Sequence, residues 1–299
     1  MDSPLLFPVK LKDDTIFVLD ETLLPFKEEY IKVVNIDEAL KVLKDMKTRS
    51  LGQVLLYFYS CILFRKEISF NDLAQSFTAA RPTFDFSMLA YIMQAGVSKG
   101  ARPQDVVFGF VKGFDAARKK RAAYLASILP KPANILTICN VNGELLYLYE
   151  ELKKLDKQGI FYVSETRPYL QGTRQTFWEL DKNQVPAKVV CDNQAAALME
   201  KGLVNCVVTG ADRATSNGDI VNKIGTYALA RLAQYFKIPF YPLTQYPRNM
   251  DIDTIIIEER PKEEAFMFLP GAVAIDAFYP AFDAVRREFI TKPIMLEMV

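Results

Sequence analysis

Hydrophobic positions recur along this chain in two rhythms, and the change from one to the other divides it. Up to about Leu129, short β-type runs at Thr15 to Leu19 and Tyr30 to Val34 give way to helical spacing. Helices are predicted from Asp37 onward, then over Gly52 to Phe64, Asp72 to Thr78 and Pro103 to Ile128. Pro103 suits the first turn of its helix, where a missing N–H costs nothing. Pro130-Lys131-Pro132 breaks the helical rhythm, and beyond it β-branched runs alternate with helical segments, as in a parallel α/β sheet. The predicted strands are Asn134 to Ile138, Gly159 to Val163, Lys188 to Val190, Asn205 to Thr209, Pro239 to Tyr241 and Thr254 to Ile257, with a helix over Ile220 to Phe236. The expected class is α/β: a C-terminal domain over 131–299 carrying most of the site, preceded by a smaller, mostly helical N-terminal domain over 1–130 with a short β start.

Charge sharpens this picture by exclusion. The 299 residues carry 37 Lys+Arg against 36 Asp+Glu, so no basic surplus points to a nucleic-acid partner. There is no histidine, which removes Ser-His-Asp and Cys-His catalysis, His-ligated zinc and an imidazole base together. Acid and base work falls to Asp, Glu, Cys, Lys or Tyr. The cysteines Cys61, Cys139, Cys191 and Cys206 form no C-x-x-C pair and read as reduced thiols of a cytoplasmic protein. Leu51 to Phe64, the longest nearly apolar stretch, is too short to span a bilayer, and no charged-then-apolar leader opens the chain, so neither membrane nor secretion is expected. The run Arg118-Lys119-Lys120-Arg121 reads as the solvated face of a helix.

Four predicted strands end in residues that a buried strand does not need: Cys139-Asn140, Glu165, Asp192-Asn193 and Asp212-Arg213. In a parallel sheet these ends lie along one edge, where open α/β sheets bind ligands. Each polar residue alone reads better as a cap for the following helix; the set of four favours a site. Gly210 to Asp219 is a long small-residue loop with an Asn217-Gly218 turn, and the predicted helix after it places Asn222 and Lys223 in its first turn. Free N–H groups there, with a lysine beside them, make an anion site suited to a phosphate. The loop fits neither a P-loop nor the dinucleotide fingerprint, so a sugar phosphate is expected rather than a nucleotide cofactor.

Two long segments carry a family resemblance: Glu165-Thr166-Arg167-Pro168-Tyr169-Leu170-Gln171-Gly172-Thr173-Arg174 with Trp178-Glu179-Leu180, and Gly210-Ala211-Asp212-Arg213 through Asn217-Gly218-Asp219 to Asn222-Lys223-Ile224-Gly225-Thr226-Tyr227. They resemble the methylthioribose-1-phosphate isomerase family, and shorter matches such as Leu19-Asp20-Glu21-Thr22-Leu23-Leu24-Pro25, Arg81-Pro82-Thr83 and Pro280-Ala281-Phe282-Asp283 extend the likeness over nearly the whole chain. The superfamily also holds ribose-1,5-bisphosphate isomerases and non-catalytic regulatory subunits of the eukaryotic translation-initiation guanine-nucleotide exchange factor, so membership alone does not prove catalysis.

The resemblance implies a cytoplasmic, dimeric aldose-ketose isomerase of methionine salvage, with a Rossmann-like C-terminal domain and no metal or organic cofactor. It implies Cys139 and Asp212 as the catalytic pair and Arg49, Arg81, Gln171, Asn222 and Lys223 as ligands of substrate and phosphate. The implied substrate is 5-methylthioribose 1-phosphate. Ribose 1,5-bisphosphate, 5-deoxyribose 1-phosphate and a non-catalytic role binding a sugar phosphate or nucleotide are the alternatives. In this reading Asp212, in a partly dry cleft, protonates the ring oxygen, and a Cys139 thiolate carries the carbon proton from C2 to C1. The chain departs from the family at Ser50-Leu51-Gly52-Gln53, at Val141-Asn142-Gly143-Glu144-Leu145 and at Ile138. Cys61, Cys191 and Cys206 are expected in the core, Trp178 and the aromatics in core or interface, and Glu258-Glu259-Arg260 in a charge network at a strand end.

Overall fold

The computed structural model describes residues 1–82, 84, 86–245, 247–257, 259–269 and 276–297. It divides into two compact units inside one long helix: Asp2–Ala116 form one, and Ala117 onward, with Met1, the other.

In the N-terminal unit, β1 (Val9–Lys12), β2 (Thr15–Leu19) and β3 (Tyr30–Val33) form an antiparallel meander. The first hairpin turns on Asp13 and Asp14, both at positive φ (47° and 54°), the conformation that matches a two-residue turn to the twist of its strands. β2 has its predicted bounds, whereas β1 is one strand more than the sequence reading contained. The helices are α1 (Ile36–Lys44), α2 (Leu51–Leu63), α3 (Phe70–Ala80), α4 (Ser87–Ser98) and the first half of α5 (Pro103–Ile128). α4 is also additional to the sequence reading. Asn35 and Ser69 cap α1 and α3 by accepting from the N–H groups of Glu38 and Asp72. The nearly all-apolar α2 is the centre of the core and is buried on almost every side, as such a pattern demands. Its Tyr57 packs with Phe77 and Phe86 edge to face or tilted, the three rings standing at centroid separations of 5.3 to 5.8 Å from one another.

The C-terminal unit is built on six parallel strands: β4 (Ala133–Thr137), β5 (Gln158–Ser164), β6 (Ala187–Val190), β7 (Cys206–Gly210), β10 (Phe240–Thr244) and β12 (Ile294–Met295). Their spatial order is β12-β10-β7-β4-β5-β6, all neighbours parallel. The helices α6 (Glu144–Lys154), α7 (Trp178–Lys182), α8 (Ala195–Glu200) and α9 (Thr226–Tyr235) fall between strands, as the Rossmann-like reading requires. From β4 the chain first builds outward to β5 and β6, then returns to the other side of β4 with β7. The order therefore reverses between β4 and β7, which marks the crevice where such sheets take ligands.

Two predicted elements are corrected. Ile220 to Phe236 is not one helix: β8 (Arg213–Ala214) and β9 (Ile220–Lys223) form a hairpin, β11 (Phe282–Val285) pairs with β9, and α9 begins only after Gly225 at φ 100°. Pairing on both sides outweighs the weak helical spacing of Ile220, Val221 and Ile224. Thr254 to Ile257 is no strand either: Ile252–Thr254 is a 3-10 turn, and the sheet's outer position is filled by β12.

Candidate functional site

The C-terminal ends of the parallel strands place the predicted polar groups along one edge. Cys139 follows β4 and Asp212 follows β7, so the pair stands on the two strands that flank the reversal. Cys139 is half-buried against the core cluster that also takes Ala211, next to Asp212. Its backbone is left-handed, φ 63°. Its N–H donates to Thr166 Oγ1 at 2.9 Å and its carbonyl accepts from Thr176 Oγ1 at 2.6 Å. Asn140 Nδ2 donates to Thr176 Oγ1 and Glu179 Oε1, and its Oδ1 accepts from the Asn142 N–H at 2.7 Å.

The loop after β5 is drawn onto this point. Asp192, after β6, spends both carboxylate oxygens on it, accepting from the N–H groups of Thr166 (2.8 Å) and Arg167 (2.7 Å). This is a structural role, but not the cap of the following helix that the sequence offered as the alternative, since the turn after β6 is capped by Cys191. Gln171 is buried at the start of the π-helical segment Gly172–Phe177. This segment passes so close to β5 that a Cβ on Gly172 would stand 1.7 Å from the Ser164 carbonyl oxygen, so only glycine fits there.

Asn222 and Lys223 stand on a strand. Both are buried, on β9 rather than in a first helical turn. Asn222 Nδ2 donates to Thr226 Oγ1 at 2.9 Å, and Lys223 Nζ stands 4.7 Å from the centroid of the Phe282 ring. A Cβ built on Gly210 would meet Val141 Cγ1 at 3.0 Å and Asn222 Oδ1 at 3.7 Å, which puts Asn222 beside the loop that carries Cys139. The expected anion site at the helix start is not available as read: the Asp283 carboxylate accepts from the N–H groups of Gly225 (2.7 Å) and Tyr227 (3.0 Å) at the start of α9. Burial raises the Asp283 pKa above the usual carboxylate range, against the opposing effect of those two hydrogen bonds.

Asp212 is exposed. Protein burial alone does not give it the dry surroundings that the sequence reading assigned to it. Of the other thiols, Cys61 and Cys206 are buried, with burial pushing Cys61 up to about 12 and Cys206 up as well. Cys191, expected in the core, is exposed.

Arg49 and Arg81 belong to the N-terminal unit and sit near one another within it. The Arg49 N–H donates to Glu21 Oε1 at 3.1 Å, and Arg81, capping α3, reaches the Met46 sulfur on the segment leading to Arg49. The Ser50 departure coincides with a positive φ of 42°, directly before α2. Thr83 and Glu258 lie outside the described residues; Arg260 of the predicted charge network pairs with Glu264 at 2.6 Å.

Sequence reasoning missed what lies beneath the site. Arg118 and Arg121 are buried, not solvated. Arg118 donates to the Asn142 carbonyl at 3.0 Å, and Arg121 forms a two-pronged pair with Glu144, both bonds 2.6 Å. The signal was present: Arg118 and Arg121 share helical spacing with Ala122 and Leu125, the buried face of α5. Among the described residues no three His, Cys, Asp or Glu side chains are grouped to hold a metal ion, and no helix is long and apolar enough to cross a membrane.

Comparison with known proteins follows the same lines. The model of the initiation factor 2 subunit family matches residues 107–295. A methylthioribose-1-phosphate isomerase from Sulfurihydrogenibium sp. (strain YO3AOP1) is 34% identical over 277 residues, covering 86% of this chain and 81% of that protein. The crystal structure of 5-methylthioribose 1-phosphate isomerase from Pyrococcus horikoshii OT3 matches with a TM-score of 0.80 at 25% identity, over 98% of this chain and 93% of that one. The delta subunit of translation initiation factor eIF-2B from A. fulgidus matches with a TM-score of 0.76, also at 25% identity, over 96% and 93%.

Proposed function

This chain belongs to the methylthioribose-1-phosphate isomerase family, and on that premise we propose that it converts 5-methylthioribose 1-phosphate to the corresponding ketose 1-phosphate in methionine salvage. The observation that carries the reading is the pair Cys139 and Asp212 on adjacent strand ends at the sheet's switch point, with Asn222 beside the loop that carries Cys139. A regulatory relative has no need to keep both members of that pair.

The chemistry follows from the substrate. A sugar phosphorylated on its anomeric oxygen cannot open to a free aldehyde, so ring opening needs a proton on the ring oxygen. Asp212 supplies it, and because Asp212 is exposed, the bound sugar must provide the desolvation that keeps a carboxyl protonated. The Cys139 thiolate takes the C2 proton, leaving an enediol phosphate, and returns that proton to C1. As C2 becomes a carbonyl, its hydroxyl proton goes back to Asp212, and both groups end as they began. Lys223 and Asn222, with Gln171, hold the phosphate and hydroxyls. None of these steps calls on a metal or an organic cofactor.

We place the protein in the cytoplasm, where its four thiols stay reduced, and assign it a homodimer. Exposed Met88 and Tyr91 on α4 and Phe108 on α5 support a buried face between copies. Light scattering should give twice the chain mass. Incubating the protein with 5-methylthioribose 1-phosphate, ribose 1,5-bisphosphate and 5-deoxyribose 1-phosphate tests the substrate. The highest kcat/KM should belong to the first, and turnover of none by a folded protein would favour a regulatory, ligand-binding role.

A further inference from the structure

Cys139 is held in a backbone conformation that L residues avoid, with φ 63°. Two buried threonines hold it there. Thr166 Oγ1 accepts from the Cys139 N–H at 2.9 Å and donates to the Ser164 carbonyl at 3.0 Å. Thr176 Oγ1 donates to the Cys139 carbonyl at 2.6 Å and accepts from Asn140 Nδ2 at 3.0 Å. Their relative exposures are 1% and 0%, so water cannot replace either hydroxyl. Each hydroxyl has one proton, and each spends it in a defined direction.

Cys139 lies just beyond β4, outside any ladder or helix that could pair its N–H and C=O. Buried backbone groups need partners, and side chains supply them here. The supports reach Cys139 from separate elements. Thr166, itself at φ 66°, is braced through its N–H by Asp192 after β6. Thr176 comes from the π-helical segment, and its neighbour Glu179 also accepts from Asn140. Such π segments are rare and concentrate at functional sites.

We propose that Thr166 and Thr176 are positioning residues of the isomerase, clamping Cys139 by its amide and its carbonyl in the left-handed conformation that sets the direction of its Cα–Cβ bond and thiol. The proposal rests on the reading of Cys139 as the group that moves the carbon proton. A relaxation of Cys139 to an ordinary backbone conformation would swing the sulfur away from C2 and C1 without removing any group that binds the phosphate. The clamp therefore governs kcat rather than KM.

Threonine-to-valine changes keep the branched shape and remove the hydroxyl, while threonine-to-serine changes keep the hydroxyl. Thr176→Val, Thr176→Ser, Thr166→Val and Thr166→Ser are compared with wild type in kcat and KM for 5-methylthioribose 1-phosphate. Alkylation of Cys139 by iodoacetamide across pH is followed in the same proteins by peptide mass spectrometry. Each valine variant should lose about a hundredfold in kcat with KM changed less than about twofold, the scale of an ångström-sized misplacement. Its Cys139 alkylation profile should shift, and the serine variant should restore both within about threefold, since its hydroxyl makes the same bonds. Valine variants that match their serine counterparts in both readouts overturn the clamp. If Thr176→Val does not fold, the Thr166 pair makes the same comparison. A wild type without isomerase activity would refute the functional reading alone, because the alkylation comparison still decides the clamp.

Discussion

Replacing Arg121 with methionine should cost the protein several kcal/mol, and the cost should depend on pH. Arg121 and Glu144 are 3% and 4% exposed, and two 2.6 Å bonds join them. Arg121 also donates to the carbonyl of Thr244 at 2.5 Å, so one guanidinium ties α5 to the start of α6 and the end of β10. Methionine fills much of the space but leaves a buried carboxylate alone. Breaking one side of such a pair costs about 3 to 5 kcal/mol. The stranded glutamate can escape by binding a proton, which for an ordinary carboxyl pKa near 4.3 costs roughly 4 kcal/mol at pH 7 and roughly 1 kcal/mol at pH 5. The destabilisation of Arg121→Met, measured by urea unfolding, should therefore shrink by about 2 to 3 kcal/mol between pH 7 and pH 5. Adding Glu144→Leu should recover most of the loss, since the cost lies in the unpaired charge. A loss below about 1 kcal/mol at pH 7, or an equal loss at both pH values, would refute this account of the pair.

Lys223→Ala should weaken binding of the phosphorylated sugar by about 1 to 3 kcal/mol, the worth of a charge-assisted hydrogen bond, and an unchanged Kd by calorimetry would remove Lys223 from the site. Iodoacetamide at pH 8 should label Cys139 and Cys191 and spare Cys61 and Cys206, whose thiols burial keeps protonated; bound substrate should protect Cys139 alone, and peptide mapping reads both. Cys61 ionises near 12 in the folded protein and near 9.0 when unfolded, so the unfolded chain releases its proton first and stability falls as pH rises across that interval. Cys61→Ala should flatten that decline in urea midpoints, and an unaltered slope would show that another group sets it.

The parallel sheet was legible because its strands are short β-branched runs separated by helical patterns, and residues such as Cys139 and Asp212 stand out where a buried strand needs nothing polar. Local spacing misled where pairing decides the outcome. Ile220 to Lys223 can be read as a first helical turn until β8 and β11 are known to flank it. The same error hid Asp283, distant in sequence, whose carboxylate occupies the helix start that had been assigned to a phosphate. Arg118 and Arg121 were read by charge, although their spacing with Ala122 and Leu125 placed them on the buried face. The clamp on Cys139 joins Thr166 and Thr176 through backbone atoms, and no pattern of residue types announces such contacts.

A time course of 5-methylthioribose 1-phosphate, followed by NMR with wild type and with Cys139→Ser and Asp212→Asn, tests the central claim most directly. Wild type should form the ketose 1-phosphate, and each variant should be slower by at least about a hundredfold, the usual scale of a lost general acid or base. No ketose from folded wild type, or turnover by Cys139→Ser near the wild-type rate, would contradict the account.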